Sequence, residues 1–153
     1  MKNFPKVALG AWAWGSGTVG GNQIFGHNLE EKDLKPIFDS AMSAGLNLWD
    51  TATVYGMGAS EEILGSFVKT VNRADIILST KFTPQIAGMY QNSVEKMLDA
   101  SLQRLNTDFI DVYWIHNPAD VEKWTPMLPP LVKSGKIKSI GVSNHNLQVL
   151  QGK

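Results

Sequence analysis

Ionisable side chains stand at the ends of several short apolar runs in this sequence. Asp50 closes the run "LNLW", Lys81 follows "IILST", and His116 closes "VYWI". Tyr55 lies in the segment just after Asp50. Because a lysine is almost never fully buried without a partner, Lys81 requires a group that keeps it charged, and Asp50 is the candidate.

These four residue types together could transfer a proton to a carbonyl oxygen. A tyrosine has a pKa of about 10 and exchanges protons poorly near neutrality, but a nearby ammonium group favours the phenolate. We therefore expect Lys81 to lower the pKa of Tyr55 and Asp50 to hold Lys81 charged and in position. This predicts a Tyr–Lys–Asp relay with Tyr55 as general acid, and His116 as the group that orients the carbonyl oxygen. None of these side chains can donate a hydride, so a reduction here would require a nicotinamide cofactor.

Each of these residues also has a purely structural interpretation. Asp50 could cap a helix or a turn, Lys81 could extend to solvent, and His116 could be a satisfied core histidine. Ser143 and Asn144, which follow the run "IKSIGV", could cap the next helix. Their shared position at the ends of successive apolar runs favours a common site.

The elements that must position these residues alternate between two kinds. The predicted strands are 7–14, 46–52, 75–82, 108–116 and 137–144, and the predicted helices are 28–45, 60–71, 92–105, 124–135 and one that begins at 145. Alternating helices and near-continuous apolar strands imply a parallel sheet covered by helices. In an open doubly wound sheet and in a (β/α)8 barrel alike, ligands bind at the carboxyl ends of the strands.

Local signals predict where several helices begin and end. Asn28, with Glu31 three residues later, is typical of a capping box, and Ser60 is a candidate N-cap. Gly45 suits the C′ position of the first long helix. Pro36 is tolerable only in the first turn of that helix, which leaves its start open.

The segment "GSGTVG" (15–20) matches the glycine-rich turn that binds dinucleotides in doubly wound folds. In that motif the glycines open the helix and an acidic residue lies about 20 residues on. Here residues 21–28 separate the motif from the predicted helix, and Asp50 lies 35 residues after Gly15 (50 minus 15). We therefore interpret the segment as a mobile loop over the mouth of a barrel.

Tryptophans are candidates for the walls of a substrate pocket. Trp12 and Trp14 precede the glycine-rich segment, and Trp114 and Trp124 lie in and after the fourth predicted strand. Trp12, Trp14 and Trp114 are our predicted pocket residues, with burial in the core as the alternative for the first two. The sequence does not identify the substrate.

Four linked motifs give the chain a specific resemblance. The segments "WDTATVYGMGASEEILG", "STKF", "WIHNP" and "IGVSN" resemble, in order and spacing, the signatures of the aldo-keto reductase family. The resemblance covers nearly the whole chain and implies an NADPH-dependent carbonyl–alcohol reaction on a (β/α)8 barrel, without a metal. The catalytic tetrad falls by motif on Asp50, Tyr55, Lys81 and His116, and the implied cofactor-binding residues are Ser143, Asn144 and Asp50.

The barrel implied by this resemblance is incomplete. A (β/α)8 barrel has eight strands and typically about 250 residues, whereas these 153 residues supply five predicted strands. We expect an α/β fold of the TIM-barrel type, with residues 1–153 as a single partial domain of about five parallel strands and four to five helices. In this family much of the cofactor clamp lies in the other half of the barrel.

An open barrel exposes strand edges and apolar interior, which favour association with another chain. We therefore expect the isolated chain to self-associate, to pair with a C-terminal half or to be poorly stable. The alternative to an active oxidoreductase is a catalytically inactive half-barrel that keeps the tetrad by descent.

Composition adds exclusions. Fourteen basic residues balance fourteen acidic residues, which gives no electrostatic argument for a nucleic acid or membrane partner. There is no cysteine, so disulfides and thiolate metal sites are excluded. The first ten residues lack the apolar region of a signal peptide, and we expect a cytoplasmic protein.

Overall fold

The computed structural model describes residues 4–151, apart from the side chain of residue 149. One parallel sheet has its five strands in the order β1 to β5. They are β1 (Leu9–Gly10), β2 (Leu48–Asp50), β3 (Ile77–Phe82), β4 (Ile110–Ile115) and β5 (Ile137–Val142). Each strand pairs with its successor, as in a barrel, whereas a doubly wound sheet reverses its strand order at a switch point. The partial barrel is confirmed.

Helices connect the strands. They are α1 (Gly21–Phe25), α2 (Glu31–Ser43), α3 (Ala59–Val68), α4 (Val94–Leu105), α5 (Val121–Trp124), α6 (Leu128–Lys133) and α7 (Leu147–Leu150). Short 3₁₀ turns span Tyr55–Gly58, Arg73–Asp75, Pro84–Tyr90 and Thr125–Met127. No helix in the described part of the chain is long and apolar enough to cross a membrane.

The first strand is shorter than predicted, and an unpredicted short helix follows the glycine-rich segment. β1 has two residues, not the eight of 7–14, and α1 follows the glycine-rich segment directly. Hydrogen bonds from Gly15 N to Leu29 O (2.8 Å) and from Gly21 N to Trp12 O (3.0 Å) tie this region back to the chain. Residues 15–20 form no helix or strand apart from an isolated bridge at Gly15, and their glycines adopt positive φ angles that allow a compact path. The mobility of this loop stays a prediction.

Two N-terminal capping signals were wrongly placed. Glu30 caps α2, and its backbone N–H donates to Asp33 Oδ2 at 3.1 Å, so the capping box lies two residues after the predicted one. α3 begins after Gly58, whereas Ser60 lies inside the helix and its hydroxyl donates to Ala11 O at 2.7 Å. The Ser60 hydroxyl thus bonds to a backbone carbonyl distant in sequence, and it does not cap α3 as the local pattern predicted.

The remaining helix predictions were correct at one position and differ from the structure at two others. Gly45, with φ 77°, follows the last residues of α2 as the predicted C′ glycine. Pro36 is the sixth residue of α2, beyond the first turn where proline is best tolerated. The predicted helix 124–135 is divided between α5, a 3₁₀ turn and α6.

The core lies between the sheet and its helices. The largest fully buried side chains on this side include Phe38, Trp49, Phe67, Leu78, Phe82, Leu98 and Tyr113. The predicted apolar face of α4 is buried at Val94, Met97, Leu98, Ser101 and Leu105, and Leu102 is half-buried. α3 and α4 approach so closely that a Cβ added at Gly65 would lie 1.9 Å from Arg104 O.

We expect Gly65→Ala to destabilise the fold, because the added methyl group must push α4 away. Overpacking of this kind costs about 1–3 kcal/mol. Gly88→Ala is the matched control, since a Cβ there meets nothing within 4 Å. Urea unfolding followed by circular dichroism measures both variants, and equal midpoints would contradict the close helix approach.

Candidate active site

An ion pair between neighbouring strands forms the centre of the site. Lys81 on β3 donates from Nζ to Asp50 Oδ2 on β2 at 2.5 Å and to Thr51 O at 2.6 Å. The Lys81 side chain is only 8% exposed. Burial lowers the pKa of Lys81, and the charge and hydrogen bond of Asp50 oppose this shift. The predicted partner of the buried lysine is the observed one.

The carboxylate of Asp50 is held from its other oxygen as well. Ser79 Oγ donates to Asp50 Oδ1 at 2.6 Å, and Trp114 Nε1 donates to Ser79 Oγ at 2.8 Å. Sequence reasoning did not assign a role to Ser79. The alternation of side chains along β3 could have predicted a role for Ser79, because Ser79, Lys81 and Thr83 lie on the same side of the chain.

A tight turn brings Tyr55 to this ion pair. Gly56 and Met57 follow it with φ angles of 57° and 52°, and a Cβ at Gly56 would lie 3.0 Å from Ser16 O. Before the turn, Thr53 Oγ1 donates to Lys81 O at 3.2 Å. The backbone that carries Tyr55 is therefore fixed directly to β3.

The ring of Tyr55 lies against three other site residues. Lys81 Nζ is 5.0 Å from its centroid. The His116 ring meets it edge-on at 5.8 Å between centroids, and the Trp12 ring stacks on it at 5.8 Å. The structure thus brings all four predicted tetrad residues together at the carboxyl ends of β2, β3 and β4.

The predicted lowering of the pKa of Tyr55 is wrong. Burial, with a further contribution from the charge of Asp50, raises the pKa of Tyr55 to about 12. Burial is the larger cause, and the negative charge of Asp50 adds to it because it disfavours a second negative charge on the phenolate. Tyr55 therefore holds its proton throughout the neutral range, which is the form that a general acid requires.

His116 is also uncharged near neutrality. Burial lowers its pKa to about 4, Lys81 adds to the shift, and Asp50 opposes it. Its Nδ1 lies 3.1 Å from the hydroxyl oxygen of Thr83, which directly follows β3 and which the sequence analysis did not assign to the site. A neutral imidazole has one donor and one acceptor; when Thr83 donates to Nδ1, the proton is on Nε2 and is available to a carbonyl oxygen.

Asn144 joins the end of β5 to this site. Its Nδ2 donates to His116 O at 2.9 Å and to Ser143 Oγ at 3.0 Å. Its φ of 60° is one that asparagine tolerates better than most residues. Ser143 and Asn144 therefore lie beside the tetrad, where the predicted cofactor residues were expected.

Comparison with known proteins decides the family. Residues 6–152 match the model of the aldo/keto reductase family. The chain belongs to the aldo-keto reductase family.

Relatives and solved structures agree with this assignment. Aldo-keto reductase YhdN of Bacillus subtilis is 33% identical over 94% of this chain and 44% of its own length. Aldo-keto reductase yakc [NADP(+)] of Schizosaccharomyces pombe is 36% identical over 86% of this chain and 42% of its own length. An aldo/keto reductase structure from Klebsiella pneumoniae, in complex with NADP and acetate, has a TM-score of 0.80 at 27% identity, over 96% of this chain and 48% of that one. The chain spans about half the length of the relatives it matches.

The tryptophans of this aldo-keto reductase chain are distributed differently from our prediction. Trp12 is 44% exposed and faces Tyr55, as a pocket wall would. Trp14 is buried in the core against Trp49 at 5.4 Å, so its assignment to the pocket is corrected. Trp114 lies on β4 and bonds to Ser79, whereas Trp124 is buried against Phe82.

A second polar network lies on the opposite side of β3. Glu61 of α3 is fully buried, accepts from Thr80 Oγ1 at 2.6 Å and pairs with Arg104 at 2.7 Å. Ser101 connects this network to Thr53, with 3.0 Å between their hydroxyl oxygens. The network supports the segment that leads to Tyr55, and sequence reasoning did not predict it.

The described residues contain no cluster of potential ligands that could hold a metal ion.

We expect the imidazole of His116 to titrate with a midpoint near pH 4. The unfolded chain titrates near pH 6.5, so the unfolded state binds more protons between these values. The stability that this group contributes is full above about pH 6.5 and is lost as the pH falls toward 4. Proton NMR of the imidazole C2–H, assigned by its absence in His116→Gln, measures the midpoint. A midpoint at 6.5 in the folded protein would show that the ring is not buried beside Lys81.

Proposed function

We propose that this chain carries the catalytic half of an NADPH-dependent oxidoreductase that reduces an aldehyde or ketone to the alcohol. The observation that carries the proposal is the contact of the Tyr55 ring with both the buried Lys81 ammonium and the neutral His116 imidazole. These groups supply a proton donor, a charge that favours its conjugate base and a hydrogen-bond donor for the carbonyl.

Each residue has a defined part in this reaction. His116 donates a hydrogen bond from Nε2 to the carbonyl oxygen and orients it toward Tyr55. Tyr55 gives its phenolic proton to that oxygen as the carbonyl carbon is reduced, and the phenolate that remains is stabilised by Lys81. Asp50 holds Lys81 in place and charged.

The end of β5 offers groups that suit a nicotinamide carboxamide. When bound, NADPH would supply the hydride. Ser143 and Asn144 would hold its carboxamide, because a hydroxyl and an amide side chain can both donate and accept hydrogen bonds. The structure with NADP from Klebsiella pneumoniae supports this choice of cofactor. Because the chain spans about half the length of such relatives, we expect this chain alone to bind NADPH weakly.

We expect NADPH to bind the chain with a dissociation constant of roughly 10–100 μM, in the weak part of the range seen for protein ligands. Titration followed by the fluorescence of the reduced nicotinamide measures it. Asn144→Ala should weaken the binding, and Asn72→Ala, which changes an asparagine before the 3₁₀ turn that leads into the amino end of β3, should not. Absence of binding at millimolar NADPH would refute the proposal for this chain alone.

We expect Tyr55→Phe to lower the rate of aldehyde reduction by at least about 100-fold, the usual contribution of a general acid. Its NADPH affinity should stay close to wild type, because the variant loses only the phenolic hydroxyl. Oxidation of NADPH with a panel of aldehydes and ketones measures the rate, and the fluorescence titration measures the affinity. A variant with the unaltered rate would exclude Tyr55 as the acid.

A second candidate function is that of a half-barrel that associates with another chain. β1 and β5 are the edges of the described sheet, and Ile140 and Val142 on β5 are 42% and 37% exposed. Exposed strand edges with apolar side chains favour pairing. This candidate is compatible with the first, since association could complete the cofactor site.

We expect size-exclusion chromatography with light scattering to find an oligomer, and Ile140→Lys to shift it toward the monomer because a charge would then lie at the β5 edge. Ile37→Lys is the control, since Ile37 is 55% exposed on α2. A wild-type monomer that melts cooperatively would contradict association through the open sheet.

A further inference from the structure

Trp114 and Ser79 form a chain of hydrogen bonds that ends at the carboxylate of Asp50. The register pairs Lys81 with Trp114 and Ser79 with Val112, so the Trp114 indole reaches back along β3 to bond with Ser79. Its Nε1 lies 2.8 Å from Ser79 Oγ, and Ser79 Oγ lies 2.6 Å from Asp50 Oδ1. An uninterrupted chain of hydrogen bonds thus connects the barrel interior to the catalytic ion pair.

The chemistry of these groups fixes every direction in this chain. An indole N–H can only donate, so Ser79 Oγ must accept from Trp114. The single hydroxyl proton of Ser79 is then free to donate to Asp50 Oδ1, because an ionised carboxylate can only accept. Oδ2 remains for the Lys81 ammonium. Each carboxylate oxygen therefore has its own donor, and rotation of Asp50 would break both bonds.

The far end of the chain is anchored by the sheet itself. A Cβ added at Gly141 would lie 2.2 Å from Cε3 of Trp114, so the indole packs directly on the backbone of β5. Trp114, Ser79 and Asp50 also line one cavity of about 330 Å³, together with Ser139. The indole is therefore held between β3 and β5, and its N–H has a fixed direction.

We propose that Trp114 and Ser79 are positioning residues that act through Asp50 to hold the Lys81 ammonium beside Tyr55. A role in catalysis rests on the proposed oxidoreductase function. The positioning of Lys81 rests only on the contacts described above. Neither residue touches the reacting atoms. Their effect reaches Tyr55 only through the orientation of the carboxylate.

The hydrogen bond of Trp114 distinguishes it from tryptophans that only fill space. The indole N–H groups of Trp49 and Trp124 are also buried, but they have no hydrogen-bond partner among the described residues. A merely structural Trp114 would act like these two, and its replacement by phenylalanine would alter stability without altering Lys81. The test therefore needs a property of Lys81 itself.

The test follows the titration of Lys81 by ¹³Cε NMR of the labelled chain, with the signal assigned by its absence in Lys81→Met. We expect Ser79→Ala and Trp114→Phe to move the Lys81 midpoint to lower pH. The reason is that burial lowers this pKa while Asp50 opposes the shift, and a carboxylate that can rotate opposes it less. The ionisable groups that face Lys81 are Asp50, Tyr55, Glu61 and His116, and all four are retained in these variants.

Matched variants separate positioning from packing. Ser79→Thr keeps the hydroxyl and should restore the wild-type midpoint. Ser139→Ala removes a hydroxyl from the same cavity, and Trp124→Phe removes an indole without a hydrogen-bonded N–H; both should leave the midpoint unchanged. In the Ser79→Ala background, Trp114→Phe should have no further effect, because its influence passes through the missing hydroxyl.

The two proposals fail in distinguishable ways. If the chain reduces aldehydes, Ser79→Ala should lower kcat by about tenfold with little change in KM, as loss of alignment does. If the chain shows no turnover but the Lys81 midpoint moves as expected, the proposed function falls for this chain and the positioning role stands. A Lys81 midpoint that is the same in wild type, Ser79→Ala and Trp114→Phe would overturn the positioning role, and so would an upward shift in Ser79→Ala.

Discussion

The need to keep a charge on a buried lysine organises this molecule. Lys81 has a side chain only 8% exposed, and an isolated charge there would be neutralised or destabilising. Asp50 meets the need from the adjacent strand because parallel pairing sets Asp50 beside Ser79, two residues before Lys81. The lysine therefore reaches back along the sheet to its carboxylate. Tyr55 and His116 obtain their environments from this pair, since both rings lie close to it.

β3 serves the site and the core at the same time because its side chains alternate. Ser79, Lys81 and Thr83 contact Asp50 or His116 on one side, while Thr80 donates to the fully buried Glu61 on the other. Loss of one partner of a buried ion pair such as Glu61–Arg104 is strongly destabilising. The same strand thus links the geometry of the site to the packing of α3 and α4.

The order of strands and helices, and the residues at the strand ends, could be predicted because both depend on periodicity along the chain. The tetrad was predicted by motif, and its four residues lie together at the strand ends, while their catalytic roles stay a prediction. The misplaced features depend on contacts between distant residues. Ser60 bonds to Ala11 O instead of capping α3, and Trp14 packs on Trp49. The pKa of Tyr55 rises because the ring is buried and lies near the charge of Asp50. A local sequence pattern does not show which residues distant in sequence will be in contact.

The proposed chemistry and the closure of the barrel depend on different parts of the sheet. The predicted tetrad lies on β2 and β3, directly after β4, and on the turn that begins at Tyr55. The edges of the described sheet are β1 and β5. Asn144 is the connection between these parts, since it bonds from the end of β5 to His116 O. A chain that pairs through β5 would therefore act first on the residues proposed to hold the cofactor, and only through them on the acid and its ion pair. Under the proposed function, closure of the barrel would change cofactor affinity, whereas β2, β3 and β4 already hold Asp50, Lys81 and His116 beside Tyr55.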